Sequence, residues 1–278
     1  MKKILLASTA LVATTGFAAA EMSWTGSANM GMKYSDNGIT QLHNEIDLGM
    51  SATGETDGGL AWKVEMGLDS NVTNSVNAGA ADVGSVSISG DFGTIRVGAV
   101  DSAGTGVGIG DLGFDGIGMD DAAESNRNAG AAADIQWDYA MDDIALRVST
   151  DSANDDMAAS MKWTSGSLSI ALSHAAVGTT GGADATAGSI STSVGGFAVT
   201  VMASQHSDAT KDSVGLHASM PVDGLGTVSV VSASNDTDAK STYGIGFSKS
   251  LGGGATLAGG YGSANGNDVG DLGISFSF

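Results

Sequence analysis

The chain has no cysteine and a single proline, Pro221, in 278 residues. Without cysteine there is no disulfide framework and no thiolate metal site, so the fold is held by non-covalent contacts alone. Positive charge is scarce, with 11 Lys and Arg against 31 Asp and Glu and a formal net charge of −20. So acidic a chain repels a phosphate backbone, which argues against nucleic acid as a partner. Beyond Phe17 no apolar run approaches the roughly 18 residues of a membrane-crossing helix. The four histidines, His43, His174, His206 and His217, show no metal-ligand spacing, and no Ser, His and Asp set stands out, so an enzyme is not indicated.

What the chain has in excess is glycine, 43 residues, with much Ser, Thr and Ala, only 15% charged residues and a mean hydropathy of +0.10. This composition makes a poor helical protein and is too apolar for a disordered one. It suits a sheet with one face in lipid and the other in water.

The last residues, GDLGISFSF, carry that pattern openly. Leu272, Ile274, Phe276 and Phe278 alternate with Asp271, Gly273, Ser275 and Ser277, and the chain stops on the aromatic. A strand apolar on one face and small or polar on the other, ending in Phe, is what an outer-membrane barrel uses to close itself. At the other end, Met1, Lys2 and Lys3 precede a largely apolar stretch from Ile4 to Phe17 and a small-residue site, Ala18-Ala19-Ala20. Residues 1–20 therefore read as a signal peptide, with the barrel domain over 21–278 exported to the outer membrane of a Gram-negative bacterium.

Period-two segments fill the rest. In the first, Met22, Trp24, Gly26, Ala28, Met30, Met32 and Tyr34 share one face, with Ser23, Thr25, Ser27, Asn29, Gly31 and Lys33 on the other. A second centres on 42–50 and a third on 60–69. Further strands are predicted near 83–89, 94–99, 133–139, 144–150, 157–163, 168–174, 187–194, 197–204, 212–220, 227–234, 241–248, 255–261 and 269–278. The expected fold is all-β: a transmembrane, antiparallel, up-and-down barrel of 16 strands. Short connections such as GDFG, AMDD and Gly195-Gly196 alternate with longer ones rich in Asp, Asn, Gly and Ser. Trp24, Tyr34, Trp62, Trp137, Tyr139, Trp163, Tyr243, Tyr261 and Phe276 fall on apolar faces and suit interfacial girdles.

One connection breaks the rhythm. Residues 100–132 show no period-two segment, and a loop beyond about 12 to 15 residues in a compact domain is usually functional or disordered. In this barrel it is the third long loop, and it is expected to fold into the lumen as a constriction. It carries Asp111, Asp115, Asp120, Asp121 and Glu124, while Lys33, Lys63, Arg96 and Arg147 fall on polar strand faces. Opposed acids and bases across a narrow passage set up a transverse field and select ions by sign, and the acid excess favours cations. Gly104, Gly106, Gly108 and Gly110 look like a phosphate loop but lack its Lys and helix, and more simply supply turns. Acid clusters at Asp151, Asp155 and Asp156, or Asp236 and Asp238, could hold Ca2+ through hard oxygen ligands, although no spacing matches an EF-hand. No other cofactor is expected.

The opening SWTGSANMGMKYSDNG, the GTIRVG segment before the long loop, and the closing run from SLGGGATLAGG to DLGISFSF resemble the general porins of alphaproteobacteria, the Rhodobacter-type family. The resemblance implies a homotrimer of water-filled, sixteen-stranded barrels in outer-membrane lipid, through which ions and small hydrophilic solutes diffuse passively, with the third loop forming the eyelet. Two other classes share parts of the pattern. A plugged structural or adhesive barrel would keep the strands without a pore, and a secreted Ca2+-binding β-roll would need a GGxGxD repeat that is not found in register.

Overall fold

The computed structural model describes residues 20–35, 39–73, 76–178 and 182–278; the expected signal peptide lies outside them but for Ala20. Sixteen strands are found among the described residues. They are β1 (Glu21–Ser35), β2 (Ile39–Glu55), β3 (Ala61–Thr73), β4 (Val76–Gly90), β5 (Gly93–Gly98), β6 (Ile135–Met141), β7 (Ile144–Thr150) and β8 (Met157–Ser165). The second half comprises β9 (Leu168–Ala176), β10 (Asp184–Val194), β11 (Phe197–His206), β12 (Ser213–Val222), β13 (Gly226–Asn235), β14 (Thr242–Gly252), β15 (Ala255–Ala264) and β16 (Asn267–Ser277). Each strand pairs antiparallel with its neighbours in sequence, and β1 pairs with β16, closing the sheet into a barrel.

The alternation in the sequence decides which way each strand faces. Trp24, Leu42, Met66, Val97, Val201, Ile245 and Leu272 are large, apolar and exposed, and each sits on the apolar side of its strand. The opposite side carries Gly, Ala and Ser together with the charged residues, and the buried side chains of the sheet, such as Ala187, Met202, Val231 and Ala258, lie there. A slip of one residue would exchange the two faces, so the pattern itself sets the register.

Closure rests on the last residue. The main-chain N–H of Phe278 donates to the carbonyl of Gly26 at 2.9 Å, and that of Gly26 donates back at 2.8 Å. The ring of Phe278 lies over Gly26, where an added Cβ would come within 2.6 Å of Cζ. From Ser27–Ser277 to Ser35–Val269 the pairing continues without a shift.

The strands depart from the expected bounds most in β2 and β4, which begin earlier or run later than 42–50 and 83–89. Residues 70–82 are small and polar, but a ladder needs only backbone groups, and Thr73 pairs with Val76. The pairing of β3 with β4 continues to Thr73 and Val76, and one connection expected to be long is tight: β15 turns into β16 through Asn265 and Gly266, both with positive φ, as a two-residue hairpin requires.

Substituting Gly26→Leu should push the Phe278 ring off the seam and destabilise the barrel by roughly 1–3 kcal/mol, as overpacking does. The temperature at which the folded, fast-migrating band unfolds in detergent gels should fall by several degrees; an unchanged transition would show that the ring does not matter.

Candidate functional site

Residues 99–134 connect β5 to β6 and fold on bonds of their own before they touch the barrel. They include a 3-10 turn over Ala103–Gly106 and one helical turn, α1, over Asp121–Glu124. Both oxygens of Asp111 accept backbone N–H groups, from Gly118 at 2.9 Å and Met119 at 2.8 Å. Glu124 accepts the N–H of Ile109 at 2.6 Å and pairs with Arg127. Two of the five acids expected to face the lumen therefore shape the loop instead.

The loop's apolar side packs on the small-residue face of the sheet. Val107, Ala122 and Ala123 bury against Ala171, Ala187, Met202 and Ala233, while Leu112 and Met119 bury against Val231. Ala103 sits among Ala158 and Ala175. The glycines of the sheet make room: a Cβ on Gly215 would stand 2.6 Å from that of Ala123, and one on Gly244 would stand 2.9 Å from the Met119 sulfur. Polar ties fix the position. Ser149 Oγ accepts the N–H of Ala103 at 2.7 Å, Ser213 Oγ donates to the Ala123 carbonyl at 2.6 Å, and Asn235 donates to that of Ala122 at 3.0 Å.

The tip of the loop reaches β16, β1 and β2. Asp271 Oδ2 accepts the N–H groups of Phe114 and Asp115 at 3.0 and 3.2 Å, and its Oδ1 accepts that of Gly260 at 2.9 Å. The Phe114 ring lies on two glycines paired across the closing seam, Gly31 and Gly273, where a Cβ would approach it to 2.6 and 2.7 Å. Asp115 pairs with Lys33, accepts a bond from Asn29 at 2.9 Å and lies 3.0 Å from His43 Nε2. Burial pushes the Asp115 carboxyl up, but its hydrogen bonds with Lys33 and Glu45 and the charges of Lys33 and His43 outweigh this and hold it below its usual range. Phe114, Asn29, His43, Glu45 and Asp271 were not singled out by the sequence reading; an acid on the small-residue face of the closing strand, Asp271 two residues before Gly273, is the signal that could have found them.

Among the described residues the loop meets β4 and β5 through main-chain bonds at its two ends, Ala99 N–H to the Gly84 carbonyl and Gly98 N–H to the Asp134 carbonyl, and beside these strands the other three expected bases gather. Arg96 donates to Gln136 at 2.6 Å and lies 3.4 Å from Asp138, which also accepts from Arg147 Nε at 2.6 Å. Lys63 pairs with Glu65 on the same strand. A recess of about 640 Å³ is lined by Ser89, Thr94, Asp138, Arg147, Ser160 and Lys162, and another of about 560 Å³ by Glu65, Asp101, Gln136, Arg96 and Arg147. Lys63, Arg96 and Arg147 thus share one stretch of wall, whereas Lys33 is engaged with the loop. Of the acids, Asp121 is exposed, and Asp120 is half-buried with its pKa raised to about 6, first by burial and then by the charges of Asp111 and Glu124.

Three of the five suggested Ca2+ ligands accept hydrogen bonds from their own surroundings. Asp156 accepts the N–H groups of Ala132 and Gly178, Asp151 those of Ala153 and Asn154, and Asp238 the amides of Asn235 and Asn265. Among the described residues, the groups of three ligand atoms close enough for a metal are His43, Glu45 and Asp115, and Glu45, Asp47 and Asp69.

A family model described as Gram-negative porin matches residues 7–270. Solved engineered variants of the Rhodopseudomonas blastica porin share the fold. One is 20% identical with a TM-score of 0.79 and another 21% identical with 0.79, each covering 93% of this chain and 100% of its own. A triple mutant of that porin is 20% identical with a TM-score of 0.77 over the same shares. Among curated proteins none matches in sequence.

Two outcomes follow from this geometry. Phe114→Ala, or Gly273→Ala, should free the loop tip, so that endoproteinase Asp-N cuts the folded barrel within residues 111–121 at least several-fold faster; equal rates would show that the glycine socket does not hold it. The raised pKa of Asp120 means that the folded state binds a proton more tightly than the unfolded one, so ionised Asp120 opposes folding above about 6. Asp120→Asn should therefore raise the unfolding temperature at pH 7.5, with the gain shrinking as pH falls through 6 and gone near 3.8. A gain independent of pH would contradict this.

Proposed function

Since this chain belongs to the Gram-negative porin family and closes into a sixteen-stranded barrel of that fold, we propose that it is an outer-membrane channel for passive diffusion of ions and small hydrophilic solutes, with cations preferred. The observation that carries this reading is the one-sided attachment of residues 99–134. Every side chain of the sheet that binds the loop, from Ser149 through Ser213, Asn235 and Asp271 to Asn29, alternates with the exposed apolar residues and so belongs to the face a closed barrel turns inward. A loop on that face narrows the lumen against β3 to β5 and the bases beside them, and residues 100–132 are its constriction.

Solute passes between the loop and Lys63, Arg96 and Arg147. These bases are partly balanced: Asp138 serves both arginines, and Glu65 serves Lys63. With Asp120 and Asp121 on the loop and a net charge of −20, the local excess is negative, which draws cations. Lys33, Asp111, Asp115 and Glu124 act by holding the loop in place. Transport of this kind requires no catalytic group. The proposal includes export by a cleaved signal peptide at 1–20 and assembly as a homotrimer in outer-membrane lipid, following the family resemblance; Ca2+ has no assigned role.

Single-channel recording of the refolded barrel in a planar bilayer, with reversal potential under a salt gradient, tests this. Large stepwise conductance, often in threes and cation-selective, is expected. Asp120→Asn with Asp121→Asn should weaken the preference for cations, and Arg96→Gln with Arg147→Gln should strengthen it, each by about twofold or more in permeability ratio. Silence from a folded barrel would mean a plugged, structural protein. Unchanged selectivity in both variants would remove these residues from the passage.

A further inference from the structure

We infer that His43, Glu45 and Asp115 form a binding site for a first-row divalent metal ion, Zn2+ in particular, joining the loop tip to β2. The three ligand atoms lie within 4.8 Å of one another. His43 Nε2 is 3.0 Å from Asp115 Oδ2 and 3.7 Å from Glu45 Oε2. Two ligands on a tetrahedral zinc, at about 2.0–2.1 Å from it, stand roughly 3.3–3.4 Å apart. The observed separations bracket that value, so small side-chain shifts would complete the geometry.

The second observation is the state of the imidazole. The His43 side chain is 3% exposed, yet Nε2 forms no hydrogen bond despite its closeness to Asp115. A buried ring nitrogen held beside a carboxylate without a hydrogen bond is incompletely satisfied, and a metal ion between the two would satisfy both. Nitrogen with two carboxylates is a donor set for zinc and its neighbours, whereas Ca2+ takes six to eight oxygens at longer distances.

The surroundings support the ligands. Asn29 donates to both carboxylates, to Glu45 Oε2 at 3.0 Å and to Asp115 Oδ1 at 2.9 Å, which leaves Asp115 Oδ2 toward His43. Such outer partners orient metal ligands. Asn29 Oδ1 is also buried without a partner, and a metal-bound water would supply the donor it lacks. Phe114 shields the site, its ring edge-on to His43 at 5.9 Å. Lys33, which pairs with Asp115 and is one-third exposed, swings into solvent when the ion takes its place. Binding thus exchanges one positive charge for two at the cluster and frees an ammonium beside it, while locking the loop to the wall.

The test is calorimetric titration of chelator-stripped, refolded full-length barrel with ZnCl2, against CaCl2 as control. One Zn2+ per chain is expected, weakened at least about tenfold by His43→Gln and separately by Glu45→Gln, in variants shown to be folded by heat-modifiable migration. Wild-type barrel that takes up no Zn2+, Ca2+ that binds as well as Zn2+, or either folded variant retaining wild-type affinity would overturn the site. Conductance recorded on the same preparations keeps the two proposals separate, because loss of the metal site leaves an open channel intact.

Discussion

A sheet in hydrocarbon can leave no edge unpaired, because no water is available there to satisfy the N–H and C=O groups, and everything else in this barrel depends on that requirement. Sixteen strands meet it only when β16 returns to β1, and the pairing is carried to the final residue by the exchange between Phe278 and Gly26. The seam so formed does a second job. Its inner side presents Gly31 and Gly273 next to each other, and this bare patch of backbone receives Phe114 from the loop. Closure of the barrel and placement of the loop are therefore settled at one place on the wall.

A closed barrel of sixteen strands encloses more space than its own side chains fill, which leaves room for a segment to pack on its inner face. The inner face accepts one because it is lined with Gly, Ala and Ser over β8 to β16, where Ala171, Ala175, Ala187 and Gly215 let the loop's Val107, Ala103 and Ala123 approach the backbone. Larger residues there would hold the loop off; the same glycines that weaken a strand by themselves are what allow close packing against it.

The strands were legible because lipid on one side and water on the other enforce strict alternation. That is why all sixteen strands could be counted from the sequence, and why the polar-face assignment of Lys33, Lys63, Arg96 and Arg147 agrees with the alternation of exposed apolar residues. Residues 70–73 and 76–82 were misjudged because a backbone ladder leaves little trace in side chains that are mostly small. The loop was visible as an interruption, but its acids could not be sorted by composition. Asp111 and Asp121 look alike in sequence, yet one is consumed by two backbone amides and the other is exposed. His43 was read as a scattered histidine because its partner Asp115 is brought to it only by the loop's return across the barrel.

The distinction between consumed and free charges decides what a passing ion meets. An ion pair presents a dipole whose field falls off faster than that of a single charge, and salt screens what remains beyond about 8 Å at physiological strength. Arg147 and Arg96 share one acid, so together they keep a residual positive charge, whereas the paired Lys63 and Glu65 nearly cancel. On the loop, Arg127 pairs with Glu124 and Lys33 with Asp115, whereas Asp120 and Asp121 at the helical turn are among the acids with no ion pair among the described residues. Burial, and after it the charges of Asp111 and Glu124, raise the Asp120 pKa to about 6, within reach of mildly acidic surroundings. The charge carried beside the helical turn therefore changes with pH near 6, through Asp120.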